Sequence, residues 1–269
     1  MPGAEPSLTE HGDGITAIDT DLLRPQFDAC HLVTAGERAA FVDSGVNASV
    51  PLFLATLEQK GIDPAAVDYL FLTHVHLDHA GGAGLLMQSL PNAKAVLHPR
   101  GAPHMIDPDK LIKGAMAVYG EDAYRAMYGD ILAIPEDRVI VAEDRQAFTF
   151  GGRSFVSVFT EGHARHHHCF HDPDSASVFT GDSFGLSYRE LDTEQGEFIY
   201  PTTTPVHFDP PEAHRAIDTI LSFEPEQLFL THYSRVTDID RLAGDLHRRI
   251  DDFVDMAERH ATDEQRTAA

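Results

Sequence analysis

The fold of this chain is decided by ten residues: Thr73-His74-Val75-His76-Leu77-Asp78-His79-Ala80-Gly81-Gly82. Four side chains that can bind metal fall within six residues, directly after an apolar run that predicts a buried strand. In an extended chain His74 and His76 point to the same side, whereas the glycines let Asp78 and His79 turn toward a second point nearby. Two divalent ions about 3.5–4 Å apart need roughly three protein ligands each. The stretch therefore predicts a metal site rather than a histidine-rich surface loop.

Three further apolar runs end abruptly in a residue that can bind metal. They cover residues 155–163, 177–182 and 227–232, and their last residues are His163, Asp182 and His232. Runs that are apolar throughout predict strands buried on both faces, hence a sheet covered by helices. Because loops at the ends of such strands converge where α/β folds bind ligands, we expect all four segments to contribute to one site.

The motif His-x-His-x-Asp-His followed by Gly-Gly resembles the signature of the metallo-β-lactamase superfamily. The later motifs arrive in the family's order: Thr160-Glu161-Gly162-His163, with Glu161 in place of the family's proline, then Thr180-Gly181-Asp182 and Leu230-Thr231-His232. The resemblance covers nearly the whole chain. It implies an α/β fold, the four-layer αββα sandwich.

The same resemblance implies a dinuclear metal centre. It assigns His74, His76 and His163 to one metal ion, Asp78, His79 and His232 to the other, and Asp182 to a bridging position. The cofactors would be two divalent ions per chain, with zinc expected first, although mixed His and Asp ligation also accepts iron or manganese. Asp78 and Asp182 are the expected catalytic residues, since either could carry a proton late in the reaction.

Other residues near the motifs are expected to support the centre or the core. In the family a residue such as Asp43 commonly buttresses the metal loop, and His167 matches a histidine that supports a ligand from behind. Two-residue alternation would put His166 and His168 on the face opposite His167, as packing or solvent-facing groups. The remaining scattered histidines are interpreted as structural: His31, His98, His104, His207, His214 and His247.

The substrate pocket is expected from segments that metal binding does not require. We interpret residues 1–269 as one domain with a helical insertion at 101–135, either a cap over the site or a scaffold and oligomer contact. Its tyrosines, with two aromatic residues of the loop 183–210, form the predicted pocket: Tyr119, Tyr124, Tyr128, Phe184 and Tyr188. Tyrosine suits such a role because it offers an apolar face with a polar tip.

The centre predicts a hydrolase in which a hydroxide bridging two metal ions attacks an ester, lactone or thioester of a small molecule. Phosphodiester cleavage on the same metals stays open, as does a di-iron protein that does redox chemistry or binds oxygen. In the redox branch of the superfamily Glu often stands where this chain has His76. The chain also lacks the helical tail of glyoxalase II-type enzymes, which argues against a glutathione thioester.

Composition limits the expected partners. The net charge of −23 over 269 residues argues against nucleic acid, because phosphate binding depends on clustered Lys and Arg. No apolar run approaches the roughly 20 residues that span a membrane. Cys30 and Cys169 predict free thiols, and with no secretory signal the cytoplasm is the expected location. A small-molecule substrate is the expected partner, and a homo-oligomer is compatible with the sequence.

Overall fold

The first of two mixed β-sheets contains the N-terminal strands. The computed structural model describes residues 5–204 and 207–259. Within these residues the first sheet runs in chain order: β1 (Leu8–Gly12), β2 (Ile15–Asp19), β3 (Ala29–Ala35), β4 (Arg38–Val42), β5 (Val67–Phe71), β6 (Lys94–Leu97) and β7 (Val139–Val141). Strands β1 to β4 are antiparallel, and β5, β6 and β7 extend the sheet in parallel.

The second sheet contains the later strands: β8 (Ala147–Phe150), β9 (Arg153–Phe159), β10 (His168–Asp172), β11 (Ser177–Gly181), β12 (Gln227–Leu230) and β13 (Ser234–Val236). Its spatial order is β13-β12-β11-β10-β9-β8. Strands β11 and β12 pair in parallel, and the other pairs are antiparallel. Chain segments that enter and leave β11 and β12 therefore meet at common edges of the sheet.

Helices cover the outer faces of both sheets. Those of the described residues are α1 (Val50–Gln59), α2 (Leu77–Ala80), α3 (Ala83–Ser89), α4 (Ala102–Ile106), α5 (Asp109–Tyr119), α6 (Glu121–Tyr128), α7 (Pro210–Leu221) and α8 (Ile239–Arg259). Buried apolar side chains of α1, α3 and α4 pack on the first sheet, and those of α7 and α8 pack on the second. A third apolar layer lies between the sheets. The predicted four-layer αββα sandwich is confirmed.

The repeated sequence Leu-Phe-Leu shows why the sheets pack in this way. In β5 Leu70 belongs to the core under α1 and α3, whereas Phe71 points between the sheets. In β12 Leu228 and Leu230 pack under α7 and α8, and Phe229 points between the sheets. Because side chains alternate along a strand, each Leu-Phe-Leu supplies two different apolar layers at once.

Two helices begin in different ways. Asp209 caps α7, since its carboxylate accepts a hydrogen bond from the Glu212 amide at 3.1 Å. Ser49 stands at the N-cap of α1, but its side chain makes no capping hydrogen bond. Its hydroxyl donates instead to the Thr20 carbonyl at 2.9 Å, which ties α1 to the chain after β2.

The C-terminal helix α8 packs an apolar stripe on the second sheet. Ile239, Leu242, Leu246 and Ile250 are buried against that sheet. Beyond them Ala257 is exposed, so the buried stripe ends before the last turn of the helix. None of the helices in the described parts of the chain is both long and apolar enough to cross a membrane.

Candidate metal centre

The predicted ligands lie where strands of both sheets end. His74 follows β5, His163 follows β9, Asp182 follows β11 and His232 follows β12. Backbone hydrogen bonds join the two sheets at this edge: the His168 amide donates to the Thr73 carbonyl at 2.9 Å, and the Ala29 amide to the Thr231 carbonyl at 2.8 Å. The site thus lies on rigid strand ends rather than on a single loop.

Three imidazoles form the first half of the centre. The Nδ1 atom of His76 lies 2.8 Å from His74 Nε2 and 3.0 Å from His163 Nε2. Burial and, to a smaller extent, the neighbouring histidines lower the pKa of His76 to about 3 and that of His74 well below its usual value. These rings are therefore neutral, the form in which imidazole binds a metal, and their three nitrogen atoms could hold one ion together.

Two carboxylates and two imidazoles form the second half. His79 Nε2 lies 3.8 Å from Asp78 Oδ2, and His232 Nε2 lies 3.5 Å from the same oxygen. Asp182 reaches both halves, with Oδ1 at 3.3 Å from His79 Nε2 and Oδ2 at 3.3 Å from His163 Nε2. This is the placement that a bridging carboxylate requires.

Two atoms of the centre show that the residues fit a metal ion. His79 Nε2 and Asp182 Oδ1 are buried and face each other at 3.3 Å, and neither makes a hydrogen bond of normal geometry to any of the described residues. A buried polar atom without a partner costs roughly 1–3 kcal/mol, and more if it is charged. Coordination of a divalent cation would satisfy both atoms, because one offers an imidazole lone pair and the other a carboxylate oxygen.

The charges of the second half also favour a cation. Burial by itself would raise the pKa of Asp78, but His79 and His232 hold it below the usual range. Burial would likewise lower the pKa of His232, yet Asp182 and Asp78 raise it to about 9. Two carboxylates thus hold positive charge on the facing rings, the charge that bound metal ions would supply with release of protons.

Asp43 supports the centre from behind. Its carboxylate accepts hydrogen bonds from the Thr73 amide at 2.8 Å, from the Thr231 hydroxyl at 3.0 Å and from His79 Nδ1 at 2.9 Å. Since Nδ1 of His79 carries the proton, Nε2 is the atom that faces the metal position. Asp43 therefore connects the strand ends of both sheets and orients one ligand.

His167 contacts the bridging ligand through the backbone. Its Nε2 accepts a hydrogen bond from the Asp182 amide at 3.1 Å, so Nδ1 carries the proton and donates to the hydroxyls of Thr160 and Ser183 at 3.0 and 2.9 Å. The ring also stacks on His74, with centroids 4.8 Å apart. These contacts support the position of Asp182, the role expected for His167.

A cavity of about 670 Å³ opens above the ligands. The ligand residues that line it are His76, Asp78, His163, Asp182 and His232. Helix α5 forms a second wall, and the segment 200–204 and Phe253 of α8 contribute further lining residues. Helix α8 therefore reaches the site through Phe253.

The five predicted pocket residues fall into three groups. Tyr119 and Tyr128 line the cavity. Tyr188 does not line it but lies beside a ligand, with its ring 6.2 Å from that of His232 and stacked on Phe27. The expectation for Tyr124 and Phe184 is corrected, because both are buried in apolar clusters outside the cavity, Tyr124 beneath α5 and Phe184 under α7 and α8.

Several cavity residues were not predicted from the sequence. His166 lies 5.4 Å from His76 between ring centroids, and its Nδ1 accepts a hydrogen bond from the Val75 amide at 3.5 Å. Residues 165 and 166 form a turn before β10, so the alternation used to turn His166 away from the site does not apply there. His104, His207 and Lys110 line the same cavity.

Comparisons with known proteins identify the family. The family model of the metallo-beta-lactamase superfamily matches residues 23–232. The chain is 30% identical over 186 residues to the metallo-beta-lactamase fold-containing protein ST1585 of Sulfurisphaera tokodaii, which covers 68% of this chain and 64% of that protein. A solved structure of ST1585, there named from Sulfolobus tokodaii, has a TM-score of 0.72 at 25% identity and covers 87% of this chain and 86% of that chain.

Two further relatives carry the names of enzymes. The atrochrysone carboxyl ACP thioesterase of Aspergillus fumigatus is 30% identical over 117 residues, 44% of this chain and 27% of that protein. The N-acyl homoserine lactonase AttM of Azorhizobium caulinodans is 28% identical over 117 residues, 44% of this chain and 40% of that protein. The chain spans less than two thirds of all three curated relatives. Since the family model covers well over half of the chain, including every ligand candidate described above, this protein belongs to the metallo-beta-lactamase superfamily.

Proposed function

We propose that this protein is a dinuclear metal-dependent hydrolase that cleaves an ester, lactone or thioester of a small molecule. The observation that carries the proposal is the pair of buried atoms His79 Nε2 and Asp182 Oδ1, which lack a hydrogen bond of normal geometry, beside the open cavity that Asp182 lines. When bound, two divalent cations would supply an activated water molecule and polarise the scissile carbonyl.

The side chains around the centre have separate tasks in this reaction. His74, His76 and His163 would hold one ion, and Asp78, His79 and His232 the other, while Asp182 sets their separation. The Asp78 side chain is the more exposed of the two carboxylates, with 27% of its surface accessible against 7% for Asp182. Asp78 would therefore face the substrate and could take up a proton. Asp43 and His167 hold ligands in place and do not touch the reacting atoms.

The walls of the cavity favour a small organic substrate. Leu111, Ala115, Val118 and Tyr128 supply apolar surface opposite the ligands, as is typical of sites for small molecules. The names of the thioesterase and lactonase relatives support carbonyl esters over phosphodiesters. The strong negative charge of the chain argues in the same direction, because it repels a polyanion.

The first prediction concerns metal content. Elemental analysis of the purified protein should give about two transition-metal ions per chain. The Asp182→Ala variant should lose both together, because its carboxylate faces both halves of the centre. An exposed carboxylate serves as the control, so Glu194→Ala should keep the full content. Full metal content in Asp182→Ala would refute the assignment of the bridge.

The same samples test the reaction. Protein stripped by a chelator and reloaded with zinc, manganese or iron is assayed on an aryl ester, a lactone, a thioester and a phosphodiester. We expect hydrolysis of the carbonyl substrates to disappear on stripping and return on reloading. Turnover of the phosphodiester alone would favour the phosphodiesterase alternative. An iron-loaded protein with visible absorbance and no hydrolysis would favour the di-iron alternative.

A further inference from the structure

The cavity lining contains few of the chain's many carboxylates. The sequence has 43 acidic residues against 20 Lys and Arg. Among the residues that the structure describes, however, the carboxylates lining the cavity are Asp78 and Asp182, both candidate metal ligands. The ionisable side chains of the lining that are not candidate ligands are Lys110, His104, His166, His207 and three tyrosines, Tyr119, Tyr128 and Tyr200. The many acidic side chains of the described residues that are not candidate ligands therefore lie outside the cavity lining.

These four groups, one lysine and three imidazoles, come from three different parts of the chain. His104 lies on α4, Lys110 on the first turn of α5, His166 in the turn before β10, and His207 shortly before α7. The rings of His166 and His207 are 6.3 Å apart between centroids. Since Nδ1 of His166 accepts the Val75 amide, its Nε2 carries the proton and is available as a donor.

Helix α5 arranges charge and apolar surface along the cavity. Lys110, Gly114 and Val118 follow at i, i+4 and i+8, beside a second row of Leu111, Ala115 and Tyr119, and both rows line the cavity. From Lys110 to Tyr119 the helix rises about 13 Å. The wall therefore carries a cation at one end, and apolar side chains follow along the helix. Lys110, Asp107 and Asp109 are all exposed, but of these three only Lys110 lines the cavity.

We propose that Lys110, with His104, His166 and His207, forms a subsite for a carboxylate on the substrate, distinct from the metal ligands. The proposal rests on the proposed function and names its substrate class: esters whose acyl or aryl part ends in a carboxylate. The apolar part of the substrate lies along Leu111, Ala115 and Val118. Lys110 supplies the charge and the imidazoles supply hydrogen-bond donors, and charge-assisted hydrogen bonds to a carboxylate are stronger than neutral ones.

Matched ester pairs test the subsite on the metal-loaded full chain. The 4-nitrophenyl esters of hexanoate, octanoate and decanoate are compared with the mono-4-nitrophenyl esters of the dicarboxylates of equal length. At least one dicarboxylate ester should be preferred by about tenfold in kcat/KM, through KM rather than kcat, because the carboxylate binds away from the reacting bond. The preference should fall as salt is added.

Variants of α5 link the preference to Lys110. Lys110→Ala should reduce the preference to near one, and Lys110→Arg should retain most of it. Lys113→Ala is the matched control, because Lys113 is exposed on the same helix and lies outside the cavity lining. Equal kcat/KM for all pairs in the wild type, or a preference unchanged in Lys110→Ala, would overturn the subsite while leaving the hydrolase proposal intact.

A binding measurement separates the subsite from the reaction. Calorimetric titration compares each free dicarboxylate with the monocarboxylate of equal length, since both can place one carboxylate at the metals. Tighter binding of a dicarboxylate, lost in Lys110→Ala and kept in Lys113→Ala, supports the subsite even if no ester is hydrolysed. Equal affinities at every chain length would overturn it.

Discussion

At the scale of single residues, His167 contacts both halves of the centre without being a ligand candidate. It accepts the Asp182 amide and stacks on His74. The amide bond fixes the start of the turn that carries the bridging carboxylate, and the stacked ring limits the rotation of a ligand. Groups of this kind commonly change metal affinity by about 10–100-fold. His167 should therefore act on affinity through position rather than through charge.

Replacement of His167 by Phe tests this role. The Phe ring keeps the stacking on His74 but removes the acceptor for the Asp182 amide, so metal affinity should fall by about tenfold or more. Competition with a chromophoric chelator measures the affinity. His171→Phe is the control, because His171 lies on the same chain segment but packs on Phe223 away from the ligands. Equal affinity in both variants would show that His167 only fills space.

The ligand candidates could be predicted from the sequence because each occupies a recognisable motif at a strand end. The cavity lining could be predicted only in part. Phe184 lies in the turn after β11 and Tyr124 lies within α6, and both side chains are directed into apolar clusters. Conversely, His166 contributes because its turn breaks the strand periodicity. Side-chain direction in turns depends on local dihedral angles, which composition and spacing do not encode.

At the scale of elements, strand ends position the chemistry. The four apolar runs predicted as strands correspond to β5, β9, β11 and β12, and each leads directly into a ligand candidate. The position of α5 was harder to predict, because none of its residues is buried and its pattern does not reveal which side faces the site. Its contribution depends on packing against α6 and on the shape of the cavity rather than on a motif.

The turn after β11 makes Gly181 a sensitive position. Its φ is +50°, and a Cβ atom there would lie 2.7 Å from both His167 Nε2 and Thr73 Cβ. Gly181→Ala should lower the free energy of unfolding by more than about 1 kcal/mol and weaken metal binding, because it strains the backbone and pushes on His167. Denaturant unfolding and chelator competition measure the two effects.

A second glycine gives the opposite expectation. Gly244 lies within α8, and a Cβ atom there would meet no atom within 4 Å. Gly244→Ala should raise the free energy of unfolding by up to about 1 kcal/mol and leave metal affinity unchanged. If both variants changed stability in the same direction, the account of Gly181 by backbone angle and close approach would be wrong.

At the scale of the whole molecule, the acidic balance of the sequence and the side chains that line the cavity are separate properties. The net charge of −23 describes the outer surface, where solvent screens single charges. Inside the cavity the local side chains determine which substrate can bind, and besides the candidate ligands they include Lys110 and three histidines. For this reason composition could argue against nucleic acid but could not indicate which small molecule enters.

Histidines buried away from the metal centre should make the whole fold sensitive to acid. His31 lies between the rings of Phe179 and Phe229, and burial, with a smaller effect of His11, lowers its pKa to about 3. Burial also lowers the pKa of His168 to about 3. In the unfolded chain both histidines have a pKa of about 6.5. Between these values the unfolded state binds more protons, so stability is complete above about pH 6.5 and is lost as the pH falls.

The His31→Gln variant isolates one of these groups. From pH 7 to pH 5 a single such histidine accounts for a loss of about 2 kcal/mol, because the slope approaches 1.4 kcal/mol per pH unit below the unfolded pKa. Urea unfolding of wild type and variant, at the same metal concentration and at both pH values, gives the difference directly. Gln does not titrate, so the variant should lose about 2 kcal/mol less over this interval, whatever its stability at pH 7. An identical loss in both proteins would mean that His31 takes up its proton inside the folded state, and burial between two phenylalanine rings would then not be what keeps it neutral.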